Sequence, residues 1–418
     1  MAQGRPGLRQ AVAALAYPDY RRFAASLLLT SMGAQLVQTA TLWQVYELTG
    51  SALLLGLTGI ARAVPHMVLS LVGGVIADRV NRVRLIQVGQ VLNGVLVLAL
   101  ALLTITGTVE VWHLYVITFL NSAFTAATQP ARAALIPSLI GQGNLVNAIA
   151  LNATIMQTSQ IIGPALGGIA LAWIDIGPTY VINGVMYLGG MIAIIGIRAP
   201  VTPPKATESP WQSFLDGLAF VRQRKVIVSL LLLDLAETVF GSYRALLPIV
   251  ADNMGAGATG YGFLSAAPGV GALVGATFIL SLGDMRYKGL YTIFGVLGYC
   301  VALVVLGLSP WLWLGLIASA LLGATNSIQM IPRNTVILAI SPDALRGRVE
   351  AFRSMMAGGG PPLGFAFSGG LAAVVGAPLA LVIGGVVCAV AVAGIGVADR
   401  ELRDPDLGAP PRRDRVEA

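Results

Sequence analysis

Apolar runs close to the roughly 20 residues needed to cross a bilayer core recur along the chain, separated by short polar gaps. They fall at residues 23–46, 52–77, 85–105, 111–135, 145–173 and 178–197, and again at 226–250, 260–282, 290–308, 311–331, 351–374 and 378–397. Between the two sets lies a longer polar stretch, RAPVTPPKATESPWQSFLDGLAFVRQRK. A bilayer offers no water to satisfy backbone groups, so helices are the expected solution. The pattern predicts an all-α membrane protein with twelve transmembrane helices, six on either side of one linker. The expected divisions are a tail at 1–22, a six-helix bundle at 23–197, a linker at 198–225, a second bundle at 226–397 and a tail at 398–418.

Composition supports this reading. Hydrophobic residues make up 56% of the chain and charged residues 11%, where a soluble domain carries roughly 25% charged; the mean hydropathy is +0.79. No short apolar segment with a cleavage site precedes the first run, which therefore reads as a retained anchor. Cys300 and Cys388 are lone cysteines in apolar runs, and their spacing suggests neither a metal site nor a disulfide.

Charge then gives an orientation, because Lys and Arg mark cytoplasmic loops. Of 26 such residues, 24 fall before the first run, at alternate gaps or the run ends beside them (Arg132 and Arg353), in the linker or in the tail, all on one side. The two others, Arg62 and Arg244, lie well inside runs, away from their ends. Both termini and the linker are expected in the cytoplasm of a cell that holds the protein in its plasma membrane. The net charge of +7 is then accounted for by the membrane surface, with no nucleic-acid partner.

The halves echo one another. IIGPALGG in the fifth run carries Gly163, Pro164, Gly167 and Gly168, and GGGPPLGF in the eleventh carries Gly360, Pro361 and Gly364, 197 residues further on. Upstream of each comes a second echo, NSAFTAATQPAR from Asn121 and NSIQMIPRN from Asn326. A six-plus-six duplication follows, a known transporter plan with its substrate site near the midplane.

After the second run the chain reads GGVIADRVNRVRL. This resembles the cytoplasmic signature of the major facilitator superfamily, matched by Gly74, Asp78, Arg79, Arg82 and Arg84. Asn81 stands where glycine is usual, a position at which Asn also tolerates positive φ, and Val83 interrupts the basic pair. The half-repeat LGDMRYKG keeps Asp284 but has Met285 for the arginine. Asp78 beside Arg79 and Arg82 is suited to charge-assisted bonds that latch the cytoplasmic side; an incidental acid in a basic loop is the plain alternative. LWQVYELTGSALLLGL, PARAALIPSLIGQGNLVNAIALN and LRGRVEAFRSMMAGGGPPLG extend the similarity over nearly the whole chain, toward the branch holding enterobactin exporters and macrolide efflux proteins. The resemblance implies two pseudo-symmetric six-helix bundles and proton-driven export of a small, often amphipathic molecule. It also makes Gly163, Pro164, Gly167 and Gly168 an antiporter-type hinge, with Gly360, Pro361 and Gly364 its repeat. Proline kinks helices and glycine permits close helix contact, so packing alone explains the same residues.

Four charges lie well within runs, away from their ends: Arg62, Asp234, Glu237 and Arg244. Each costs about 2.5 to 3.5 kcal/mol at a helix centre, so they must be paired, hydrated or neutral. In a continuous seventh helix, Glu237 and Arg244 share a face with roughly 10 Å of rise between them, and Asp234 and Glu237 are neighbours. Two carboxylates sharing a site push the pKa of at least one of them upward. This makes Asp234 or Glu237 the candidate carrier of a coupling proton, with Arg62 or Arg244 tuning it, against a static network that fixes packing. Gln35, Gln38, Asn121, Thr125, Asn326 and Gln329 fall on helices that line the cavity in the resembled fold, and helix-to-helix glue is the alternative for each. In the linker, Trp211, Phe214, Leu218 and Val221 repeat at helical spacing before Arg222, Arg224 and Lys225, the pattern of a helix lying on the inner leaflet.

The sequence holds no metal-ligand cluster, no HExxH and no phosphate loop, which argues against an enzyme, a bound metal and any cofactor. The expectation is a monomeric, proton-coupled exporter in contact with lipid, a small-molecule substrate and protons. Two rivals stand beside it: a siderophore exporter of narrow specificity, and a non-transporting sensor or scaffold on a transporter fold.

Overall fold

A computed structural model describes residues 13–140, 144–197, 218–283, 285–342 and 346–407; the side chains of residues 70–79, 146, 346–348 and 350–359 are not described. Twelve long helical segments run through the described residues. The first six are α1 (Pro18–Thr49), α2 (Ala52–Arg79), α3 (Arg82–Ile105), α4 (Val111–Leu139), α5 (Leu145–Ile174) and α6 (Ile176–Ala193). The second six are α7 (Lys225–Phe240), continued after a break by a short helix Leu247–Asn253, then α8 (Gly257–Ser281), α9 (Lys288–Leu308), α10 (Leu312–Ile340), α11 (Arg346–Val375) and α12 (Ala377–Ala398). Eight of the described helices are long and apolar enough to cross a bilayer by composition alone. Leu102, Phe294 and Val390 are each more than 60% exposed, as lipid-facing side chains are and as a water-soluble surface avoids in number.

The chain forms two compact units, Met1–Thr207 with Gly255–Ala266 and Glu208–Met254 with Ala267–Ala418. In unit 1, α1 packs on α5 and α6, α2 on α4, and α3 on α4 and α6. In unit 2 the corresponding pairs recur: α7 packs on α11 and α12, and α9 on α10 and α12. The echoed glycines explain why. A Cβ on Gly163 would lie 2.5 Å from Gln35 Cβ, and one on Gly167 3.1 Å from Thr39 Cβ. In unit 2 a Cβ on Gly360 would lie 2.9 Å from Thr238 Cγ2, and one on Gly364 2.2 Å from the Thr238 carbonyl. Small residues thus let the fifth helix of each half approach its first, the usual device where no hydrophobic force draws helices together. Pro164 and Pro361 sit inside helices that continue through them.

Helix ends depart from the apolar runs in instructive ways. α1 begins at Pro18, where a proline in the first turn loses no hydrogen bond, ahead of the run at 23. Asn81 takes φ −63° and caps α3, its side chain accepting from the Arg84 amide, so the position needs an N-cap and not a positive φ. The largest departure is in the seventh span. α7 stops at Phe240, and Arg244 starts a 3-10 turn, Arg244–Leu246. Gly241 caps the helix, and Pro248 opens the next, removing the amide that would bond the Arg244 carbonyl. Glu237 and Arg244 therefore do not share a helix face, contrary to the reading of a continuous helix. Tyr299 from α9 donates its hydroxyl to the Gly241 carbonyl at 2.9 Å, satisfying a group that the break frees within an apolar setting.

Of the linker, Trp211 and Phe214 lie outside the described residues. Residues 218–223 are largely helical, and Val221 is buried in the core of unit 2 with Val226, Leu230 and Val296.

Candidate functional site

In unit 2, buried charge gathers where α7 meets α10. Arg333, 4% exposed, reaches from α10 to α7 and forms an ion pair with Asp234 through Nη1. The same nitrogen donates to Gln329 Oε1 at 3.1 Å, and Gln329 Nε2 donates to Asn326 Oδ1 at 3.0 Å. Glu237, one turn along α7 from Asp234, is 6% exposed and close enough to feel both Arg333 and Asp234. Its Oε2 is buried without a hydrogen-bond partner among the described residues. A carboxylate oxygen without a partner in a dry site is costly, so this group is the least settled of the cluster. The acid pair is where the sequence places it. Its partner is not: Arg333 was counted with the cytoplasmic loops because the apolar run ends at 331, yet the helix continues to Ile340. Arg244 is exposed beyond the break and within electrostatic reach of Tyr299.

Unit 1 carries a second polar cluster. Arg62 is half-buried on α2, and its carbonyl accepts from Ser122 on α4 at 2.8 Å. Arg132, also on α4, donates to Thr30 Oγ1 on α1 at 3.0 Å. Tyr187 on α6 is 2% exposed, and its hydroxyl faces Asn121 without forming a hydrogen bond of ordinary geometry; the Asn121 Nδ2 likewise has none. The charges of Arg132 and Arg62 both reach this hydroxyl. Thr125 Oγ1 accepts from Asn93 at 3.4 Å. Of the other sequence candidates, Gln35 packs against Gly163, Gly168 lies backbone to backbone against Gly262, and Gln38 is half-buried on α1. Sequence reasoning missed Arg333, Arg132 and Tyr187. The two arginines are visible just after the proline of each echoed stretch, in PAR and PRN.

The signature after the second span is described only in part. The side chains of Gly74, Asp78 and Arg79 lie outside the described residues, as does Asp284. Arg82 donates to the Ala134 carbonyl at 3.3 Å, tying the start of α3 to α4, and Arg84 is exposed.

Twelve helical segments with glycine-packed first and fifth helices in each half, together with the family and relatives it matches, make the chain a transporter of the major facilitator superfamily, not an enzyme. More narrowly, the chain belongs to the transmembrane secretion effector family, which it matches over residues 10–409. It is 28% identical over 340 residues to the enterobactin exporter EntS of Shigella boydii serotype 18, covering 81% of this chain and 79% of the relative. A second EntS, from Shigella boydii serotype 4, is 27% identical over 357 residues, covering 85% and 86%. Among solved structures, a peptide transporter of the POT type superposes with a TM-score of 0.72 at 11% identity, over 92% of this chain and 94% of that one. A bacterial homologue of the human lysosomal transporter Spinster gives 0.70 at 15% identity, over 91% and 96%. These likenesses establish the fold. The protein is a multi-pass membrane transporter of small molecules.

Proposed function

We propose that this transporter is a proton-coupled exporter of small amphipathic compounds, working by alternating access as a monomer in the plasma membrane with both termini and the linker cytoplasmic. The observation that carries the reading is Glu237, a buried carboxylate with one unpartnered oxygen beside an existing Asp234–Arg333 pair. With a proton on Glu237, Arg333 belongs to Asp234. Once the proton leaves, Arg333 faces two carboxylates and must be shared between them. α7 and α10 then have two arrangements that differ by one proton, which is what coupling requires. Intramembrane acids mark such relays in pumps and transporters.

A narrower second reading is export of a siderophore, favoured by the relatives named as enterobactin exporters. Both are tested in everted membrane vesicles energised by respiration, with fluorescent cations and iron-free siderophores offered in parallel. Uptake that collapses with an uncoupler, and in Asp234→Asn/Glu237→Gln protein, supports proton-coupled export and identifies the substrate class. Uptake undiminished in that variant would leave the acids as structural groups and sink the coupling scheme.

A further inference from the structure

The two halves build the same arrangement around an arginine and finish it differently. Arg333 in unit 2 and Arg132 in unit 1 each close an echoed stretch that opens with Asn-Ser and passes a proline. Each reaches from the fourth helix of its half to the first. Arg333 meets Asp234 there. The glycine contacts set Gln35 against Thr238 as equivalents, an offset that places Ser31 opposite Asp234, with Thr30 beside it. Unit 1 thus has hydroxyls where unit 2 has a carboxylate. Arg132 finds Thr30, whose own proton is directed to the Ser26 carbonyl at 2.9 Å. Among the described residues Arg132 makes no ion pair.

The groups around Arg132 are donors. Tyr187 brings a buried hydroxyl and Asn121 a buried amide nitrogen that face one another, neither making a hydrogen bond of ordinary geometry among the described residues, and Arg62 brings a second guanidinium. Asn121, Thr125 and Arg132 fall four and seven residues apart on α4, so they share one face over about three turns. Thr125 is exposed, and Arg62, Asn121 and Arg132 are half-buried, so the cluster is open on that face and floored by Tyr187. By sequence, the acids of residues 23–197 are Glu47, Asp78, Glu110 and Asp175, at or beside helix ends.

We propose that unit 1 binds an anionic oxygen group of the transported molecule, a carboxylate or an ionised phenol or hydroxamate, on Arg132, Arg62, Tyr187 and Asn121. From the preceding section this takes only that the chain moves a small amphipathic molecule; it adds the charge of that molecule and the place that reads it. Planar guanidinium forks suit such oxygens, and an unpaired buried donor discriminates strongly against a ligand that cannot satisfy it.

The test is an equilibrium titration of the full chain in nanodiscs of zwitterionic lipid, followed by ligand-observed NMR. The probes are 2-naphthoate, its neutral amide, and the matching cation, 2-naphthylmethylammonium. The acid is expected to bind about tenfold or more tightly than the amide, the worth of one hydrogen bond to a charged group. Tyr187→Phe, which keeps the ring and its packing, should weaken the acid by about tenfold or more and the amide by clearly less, as a bond to a charged oxygen is worth more than one to a neutral carbonyl; Arg132→Gln should bring the two level. Equal binding of acid and amide, binding of none of the three, or an acid preference untouched in Tyr187→Phe would each overturn the assignment. Loss of acid binding in discs containing phosphatidylglycerol would give the site to a lipid headgroup and overturn it as well. No gradient is present, so failure of proton coupling in vesicles would leave this result standing, and failure here would leave transport standing with a differently charged substrate.

Discussion

Truncating Asp234 should damage the protein far more than removing Asp234 and Arg333 together. The Arg333 side chain is 5% exposed and Asp234 22% exposed, so in a Glu237→Gln background, where no second carboxylate can take over, Asp234→Ala strands a nearly dry guanidinium bonded to Gln329. Leaving one charge of a buried pair uncompensated costs about 3 to 5 kcal/mol. Arg333→Met strands a wetter carboxylate, and about 1 to 3 kcal/mol is expected for an unsatisfied polar group. The double variant, with both charges gone and the arginine's volume kept by methionine, should lose no more than about 2 kcal/mol, since apolar replacement of a buried pair is often neutral or better. The coupling energy of the cycle is therefore at least about 2 kcal/mol, on the scale of the roughly 4 kcal/mol Coulomb term for unit charges 4 Å apart at an effective dielectric of 20. Reversible unfolding in mixed micelles, at one pH and lipid ratio for all four proteins, measures it. Asp234→Asn, which keeps an acceptor oxygen, should fall between the Glu237→Gln parent and Asp234→Ala. Additivity of the two single variants within about 0.5 kcal/mol would refute the reasoning, because independent sites add.

Glu237→Gln keeps the shape of the side chain and removes its proton exchange; gradient-driven accumulation in vesicles should disappear while micelle stability changes by less than about 1 kcal/mol, and a large stability loss would instead make Glu237 a structural acid. Gly163→Ala places a methyl 2.5 Å from Gln35 Cβ and should cost about 1 to 3 kcal/mol through overpacking, whereas Gly370→Ala, with nothing within 4 Å, should gain slightly from helix propensity; thermal denaturation of the two side by side checks the contrast. Tyr299→Phe withdraws the donor from the Gly241 carbonyl and should cost about 1 to 2 kcal/mol, with faster amide exchange confined to residues 241–246.

The fold was legible because a bilayer translates hydropathy almost directly into helices, and each half of the chain confirms the other. The twelve runs give the right helices, and the echoed glycines mark the duplication that the packing of the two halves repeats. What hydropathy hides is polarity at the edge of a run. Arg333 ends an apolar stretch, so it reads as a loop residue, although the helix carries it inward to Asp234. Arg132, three residues from the end of the fourth run, likewise reads as a boundary charge, although the helix continues to Leu139. The break after Phe240 was hidden differently: an averaged run passes smoothly through Gly-Ser-Tyr-Arg, and only Gly241 and Pro248 signal that a helix cannot continue there. Tyr187 gives no sequence signal, because a tyrosine in a span is ordinary until the structure shows its hydroxyl beside two arginines.

The ion pair between α7 and α10 also sets a schedule for biosynthesis. Its partners stand 99 residues apart, so at 5 to 20 residues per second the ribosome delivers Arg333 about 5 to 20 s after Asp234. Throughout that interval α7 has left the ribosome with Asp234 and Glu237 but without its counter-charge. Water, a proton or the insertion machinery must hold the helix until α10 arrives. The arginine is thus a late-arriving key: truncation before residue 333, or a pause in translating α9, leaves a nascent chain with a charged helix that the membrane has reason to reject. Quality-control proteases would meet such a chain with α7 still unmatched.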